Sequence, residues 1–287
     1  MPTRLAVAPQ YLLPKRLLTQ VMGALARMHG GALTHAVIRK FIARYKVNMA
    51  EAADPRIESY ATFNDFFTRP LRAGARPIAD APFICPVDAA ISQFGPIEHD
   101  QIFQAKGHSY STRALVGGDQ QLAHQFNHGH FATLYLAPKD YHRIHMPCDG
   151  VLKRMIYVPG ELFSVNPLTA RHVPGLFARN ERVVCVFDTE YGPFVNVLVG
   201  ATIVGSMATV WHGVVNPPRS ANIREWNYEG QNIRLAKGAE MGRFLLGSTV
   251  VMLFTKNVVT FNPDWAPTRP VRLGEAMATF AGAESVI

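Results

Sequence analysis

No stretch of this 287-residue chain approaches the roughly 18 uninterrupted apolar residues that a spanning helix requires, so no transmembrane segment is expected. A charged start followed by a long apolar core is also missing, and a secretory signal is not expected. Cysteine is scarce: Cys85, Cys148 and Cys185 are widely spaced and form no C-x-x-C pair. That excludes a disulfide framework or a zinc ribbon and points to a reducing compartment, with each thiol a small core residue. No internal repeat or low-complexity tract stands out. Acid is missing from one region in particular. Residues 1–46 hold Arg4, Lys15, Arg16, Arg27, Arg39, Lys40, Arg44 and Lys46 and no Asp or Glu, which accounts for the whole formal net charge of +8. The remainder balances, 21 basic against 21 acidic. A basic leader on a neutral body points to an anionic partner, either lipid head groups or nucleic acid.

With 48% hydrophobic residues the chain can bury a substantial core in one large domain or one domain plus an appendage. The leader has helical spacing. Leu13, Leu17, Val21, Leu25 and Met28 recur every three or four residues, with Lys15, Arg16 and Arg27 off that stripe and Pro14 suited to a first turn. After a break at Gly30 and Gly31, a second basic amphipathic helix is predicted over 34–47. A third, short one is predicted over 62–68, where Thr62 and Asp65 match a capping box and Pro70 ends it. Periodicity alone does not say whether the leader's apolar faces meet the body or a membrane. The leader also has the Arg-rich, acid-poor character of a mitochondrial transit peptide, although it lacks a Ser-rich region. From about residue 75 the texture changes to short apolar or alternating runs between Gly and Pro: 131–137, 151–158, 182–187, 194–199 and 249–254. The expected fold is therefore α+β: amphipathic helices over 1–72, then a mainly antiparallel β-sandwich or barrel over 73–287.

Three places carry chemistry. Ser248 follows Gly247 between apolar runs, an arrangement that suits a bulge or turn. It also suits attack by a serine hydroxyl on the preceding carbonyl, which is easiest when that residue has no side chain. The segment from Asp140 to His145 carries His142 and His145 three apart, candidates for a base, a structural pair or, least of all, metal ligands. Asp88 is an acid among apolar residues, either a turn cap or the third member of an acid, base and nucleophile set with a histidine and Ser248. No G-x-S-x-G elbow accompanies Ser248, which weakens a lipase or esterase reading.

The run Gly238-Ala239-Glu240-Met241-Gly242-Arg243-Phe244, followed by Leu246-Gly247-Ser248-Thr249, resembles the processing site of bacterial phosphatidylserine decarboxylases. Further segments with the same resemblance span most of the chain: 63–69, 86–88, 140–148, 159–166, 180–182 and 199–206. One departure is Ala89 after Asp88, where many members carry Gly. The resemblance implies a proenzyme that cuts itself between Gly247 and Ser248 into a β chain (1–247) and an α chain (248–287) that stay associated. Ser248 would become a covalent pyruvoyl cofactor, with His145 as its base, Asp88 orienting His145, and His142 as proton donor in the later step. The implied reaction is decarboxylation of phosphatidylserine to phosphatidylethanolamine through a Schiff base, in phospholipid biosynthesis. The implied setting is the cytoplasmic side of the cell membrane, peripherally bound through the leader, with no metal and no nucleic acid; a homodimer stays open. Two other classes are a lipid- or nucleic-acid-binding module with an inert Ser248, and a serine hydrolase with a free Ser248 hydroxyl.

Overall fold

The computed structural model describes residues 7–105, 107–202, 206–246 and 248–282. Helices come first: α1 (Pro9–Leu12), α2 (Lys15–Ala26), α3 (Ala32–Tyr45) and α4 (Phe63–Phe67). The short α4 forms where local chemistry dictates. The Thr62 side chain accepts from Asp65 N and Asp65 returns a bond to Thr62 N, the reciprocal capping box that satisfies two otherwise orphaned donors. Helix α3 packs on α4 through Ile38, Val47, Tyr60 and Phe66.

The stripe along α2 does not turn inward. Leu13, Leu17, Val21, Leu25 and Met28 are all exposed, Leu17 at 59%. The basic side of α2 meets the body instead: Lys15 is buried, 3.2 Å from Glu161 and over the Phe163 ring, and Arg16 donates to Gly160 O at 3.4 Å. Gly160 allows this loop to fold closely, since a Cβ there would lie 2.3 Å from Arg179 O.

Strands follow in four sheets. The largest runs β12 (Arg224–Asn227), β7 (Gly150–Val158), β8 (Arg182–Thr189), β9 (Gly192–Val199), β15 (Ser248–Phe254), β5 (His130–Leu136), β2 (Ala89–Pro96) and β17 (Pro270–Val271), with β13 (Arg234–Leu235) also on β7. A second comprises β11 (Gly213–Asn216), β10 (Met207–Thr209), β14 (Glu240–Phe244) and β6 (Arg143–His145). The third is β1 (Phe83–Ile84), β18 (Ala276–Phe280) and β16 (Val259–Phe261), and the fourth the hairpin β3 (Gln101–Ala105) and β4 (His108–Ser111). Every pairing between these strands is antiparallel. The large sheet stays open at β12 and β17, so the expected α+β fold forms with packed open sheets rather than a closed barrel. Strand β15 lies at its centre and is apolar on both sides. Val250, Met252 and Phe254 join the core shared with the second and third sheets, while Val251 and Leu253 join the core under the short helices on the other face. A strand covered on both faces reads as a continuous apolar run, as 249–254 does.

Candidate active site

Strand β15 begins at Ser248, whose Cα is in register with Leu136 at the end of β5; Thr249 lies between Tyr135 and Val199. Gly247 and the Ser248 side chain lie outside the described residues. On the approach to Ser248, β14 pairs with β6, placing Arg243 opposite Arg143 and Glu240 opposite His145. One further bond, Phe244 N to His142 O at 3.0 Å, extends the ladder. Gly242 permits the tight spacing on the other side of β14, because a Cβ would sit 2.6 Å from Ala208 O. Leu136 thus holds the chain at Ser248 and His142 holds it at Phe244, so residues 137–141 connect the two points at which the chain is held.

That loop is fastened from within. Asp140 Oδ2 accepts from Ala137 N at 2.7 Å and Asp140 N donates to Ala137 O at 2.9 Å. Burial raises the Asp140 carboxyl to about 6, the Ala137 bond opposes this, and the Asp88 charge adds to it. His142 Nδ1 donates to Asp140 O at 2.8 Å, because a carbonyl only accepts, which leaves Nε2 as the bare nitrogen. That nitrogen is buried with no hydrogen-bond partner among the described residues, and the ring packs 4.1 Å from that of Phe67. Burial pushes the imidazole down to about 3.

His145 is held by different groups. Its Nδ1 donates to Gly238 O at 2.7 Å, and its Nε2 accepts from the Tyr141 hydroxyl at 3.2 Å. Burial lowers its proton affinity, with the Gly238 bond opposing. His145 N donates to Pro86 O at 2.9 Å, which brings β6 alongside Asp88. The negative charge of Asp88 favours the imidazolium of His145, but the carboxylate's hydrogen bonds among the described residues run elsewhere. Arg76 Nε donates to Oδ1 at 2.8 Å, Arg76 Nη2 reaches Oδ2, and Leu273 N donates to Oδ1 at 2.9 Å. Arg76 Nη2 also meets Glu51 at 2.7 Å. In this form, then, the Gly238 carbonyl selects the His145 tautomer, and Asp88 acts on His145 only through its field.

The structure therefore brings Asp88, His142 and His145 around the segment leading to Ser248. It adds groups to which the sequence reading gave no role: Asp140 and Tyr141, visible beside the histidines, and Arg76, Glu51 and Gly238, for which no local signal existed. Arg76 lies just past residue 72, where the helical region and the β-rich region are expected to meet.

A large apolar cavity of about 620 Å³ opens beside this site, between α2, α3 and the body. Leu25, Val37 and Phe41 form its helical side, and Tyr135, Leu136 and Leu246 its floor. Its inner end therefore lies beside the residues that flank Ser248, and its outer end continues into the exposed apolar stripes. No helix among the described residues is long and apolar enough to cross a membrane.

A family model described as phosphatidylserine decarboxylase matches residues 63–279, and a second, described as PSD, matches residues 5–46. The chain is 71% identical over 281 residues to a phosphatidylserine decarboxylase proenzyme of Dechloromonas aromatica, covering 98% of this chain and all of the relative. It is 71% identical over 277 residues to the protein of that name from an Azoarcus species, covering 96% of each. With the one from Herminiimonas arsenicoxydans it shares 69% over 278 residues, 97% of this chain and 95% of the relative.

Proposed function

The chain belongs to the phosphatidylserine decarboxylase family, and on that premise we propose that it matures by cutting itself between Gly247 and Ser248 and then decarboxylates phosphatidylserine. It is a carbon–carbon lyase of phospholipid biosynthesis, made as a proenzyme. The observation that carries the processing step is the register that pins Leu136 to Ser248 and His142 to Phe244, which puts Ser248 and Phe244 at the two ends of a loop rich in acid–base groups. His145, kept neutral by burial, takes the Ser248 hydroxyl proton at Nε2 once Tyr141 releases that nitrogen. The alkoxide attacks the Gly247 carbonyl, the His145 imidazolium returns its proton to the departing Ser248 nitrogen, and the peptide C–N bond is exchanged for an ester. In the β-elimination His145, neutral again, takes the Ser248 Cα proton as the ester Cβ–O bond breaks, releasing Gly247 as a carboxylate and leaving a dehydroalanine at position 248. Tautomerisation to an imine and hydrolysis by one water then release ammonia and leave a pyruvoyl group. Asp88, fixed by Arg76 and Leu273, supplies the negative field that supports the imidazolium.

The groups at this end of β15 fit a carbonyl-bearing residue 248. Thr249 Oγ1 is buried without a partner among the described residues, as is His142 Nε2, and a hydroxyl without an acceptor suits a neighbouring ketone or amide oxygen. Such a group supplies a ketone that condenses with the substrate amine and then accepts the electron pair left when carbon dioxide departs. Since Nδ1 of His142 is committed to Asp140 O, its Nε2 takes up a proton from the substrate ammonium and returns it to the α-carbon after carbon dioxide leaves. The apolar cavity receives the lipid's acyl portion. The exposed stripes of α2 and α3, framed by an acid-free leader, bind the protein peripherally to an anionic membrane surface on its cytoplasmic side. Intact-mass analysis of the purified protein tests the reading: two chains of residues 1–247 and 248–287 are expected, the shorter with a blocked, carbonyl-reactive N-terminus. A single uncut 31.7 kDa chain under native conditions would sink it.

A further inference from the structure

Between α2, α4 and the end of β14 lies a small recess lined by Thr19, Gly23, Arg27, Asn64, Ser206 and Leu245. It shares Ala26 and Leu246 with the large apolar cavity, so the two are neighbours with a common wall. Leu246 is two residues from Ser248, a separation of at most about 7 Å of extended chain.

Four features set this recess apart. Arg27 is the one ionised side chain lining either space among the described residues. Its guanidinium lies back over Gly23, where a Cβ would come within 3.4 Å of Nη1, so the glycine leaves room for that pose. Unlike Lys15 and Arg16, Arg27 has no ion pair or side-chain hydrogen bond among the described residues. Asn64 Oδ1, on the facing helix, is buried without a donor among the described residues. No hydrogen bond among the described residues fixes that carboxamide, and a half-turn replaces the orphan acceptor with an NH₂ donor. The recess itself holds one water-sized group, about 10 Å³, the size of a single phosphate oxygen.

We infer that this recess is the subsite for the phosphodiester of a glycerophospholipid, with Arg27 binding one non-bridging oxygen and Asn64 the other. The inference deepens the proposed function and rests on it. The order of groups along such a lipid is acyl chains, glycerol, phosphodiester, then the amine-bearing serine. The apolar cavity and the Arg27 recess share Leu246, two residues from residue 248, so a lipid with its chains in the cavity can lay its phosphodiester in the recess while its serine reaches residue 248. Charge agrees as well, since a guanidinium is the side chain best matched to a phosphate, and Arg27 is exposed at the edge of the recess, where a ligand can reach it.

The test uses the full-length, processed protein with phosphatidylserine in neutral detergent micelles, which removes the bilayer's surface charge. Arg27→Gln is expected to raise KM roughly 10- to 100-fold with kcat little changed, the loss of a charge-assisted hydrogen bond; Arg27→Lys should recover part of it. Lys256→Gln, which removes one exposed charge far from the recess in sequence, should leave KM unaltered. Soluble glycerophosphoserine should compete with substrate in the wild type and lose potency in Arg27→Gln. Inorganic phosphate, lacking the serine linkage, should compete weakly; equal competition by both would mean a free-phosphate site and overturn the assignment. An unchanged KM in Arg27→Gln, or a rise matched by Lys256→Gln, would also overturn it. An uncut Arg27→Gln chain would place Arg27 in processing instead and equally refute the inference. Failure of the underlying reading is distinguishable, because there the wild type itself is uncut and releases no carbon dioxide.

Discussion

Replacing Arg76 by methionine keeps most of the side-chain volume and removes the charge that ties two carboxylates together. In the native protein Arg76 keeps only 7% of its side chain exposed and Asp88 11%, while Glu51 keeps 21%. Removing one partner of a buried ion pair costs about 3–5 kcal/mol, because the other charge is stranded in a poor solvent. Here the loss should be smaller, about 2–3 kcal/mol, since Glu51 retains Arg272 at 3.3 Å and Asp88 retains Leu273 N. For a chain of this size that is roughly a 4–12 °C fall in Tm. The pH dependence gives the reasoning its sharper test. The hydrogen bond from Arg76 is the main reason Glu51 titrates below its ordinary value of 4.5. A carboxylate with a depressed folded-state value contributes stability that is present above the unfolded value and lost as pH falls through the folded one. Wild type should therefore lose this contribution below about pH 4.5, and Arg76→Met, which has already lost it, should not. The gap between the two unfolding curves is thus expected to be widest near pH 7 and to close in acid. Chemical denaturation followed by circular dichroism at both pH values measures it. A loss under about 0.5 kcal/mol at pH 7, or an equal loss at both pH values, would refute the account of the clamp. The same variant should cut itself more slowly, which densitometry of the two chains over time would read.

His145→Ala and Asp88→Asn should each leave an uncut proenzyme, whereas His142→Ala should be cut yet lose turnover by about 10²- to 10⁴-fold; gels run alongside carbon dioxide release separate these outcomes, and a normally cut His145→Ala protein would reverse the roles. Because burial holds His142 down to about 3 against an ordinary 6.5, the unfolded chain binds an extra proton between those values, so stability should decline as pH falls through that window; the decline should be shallower in His142→Ala, and identical slopes in a denaturant titration would count against the assignment. Deleting residues 1–46 should weaken binding to anionic vesicles, and added salt should weaken the full-length protein's binding; co-sedimentation as strong for the truncated protein would mean that the helices serve packing alone.

What could be read from the sequence was what is local. The Thr62 and Asp65 cap lies within one helical turn, and the apolar run 249–254 announces a strand covered on both faces, so both appear where expected. The stripe of Leu13, Leu17, Val21, Leu25 and Met28 was legible as one helix face. Its direction was not, because periodicity says which residues share a face and not what that face meets. The decisive fact was Glu161, 146 residues from Lys15, which draws the basic side inward. The site divides the same way. Asp88, the histidines and Ser248 stand out by type and spacing, but the clamp on Asp88 comes from an arginine in a stretch that looks like a linker. The acceptor that orients His145 is a backbone carbonyl 93 residues away, a group every residue has, so composition carries no trace of it.

Strand β15 has neighbours on both sides, β5 and β9, and its first residue is the one that the proposed cut makes into a new chain end. Severing the chain there leaves the 40-residue fragment interwoven with the larger one, since β16, β17 and β18 lie in the same two sheets as β1 and β2. The fragment cannot drift away without dismantling the middle of the molecule. Maturation then has a direction in time. If the proposed cut depends on the register of β15 with β5, the bond breaks only in a chain whose sheet has already assembled. On the proposed reading, a molecule denatured after the cut would have to reassemble from two pieces rather than fold as one chain.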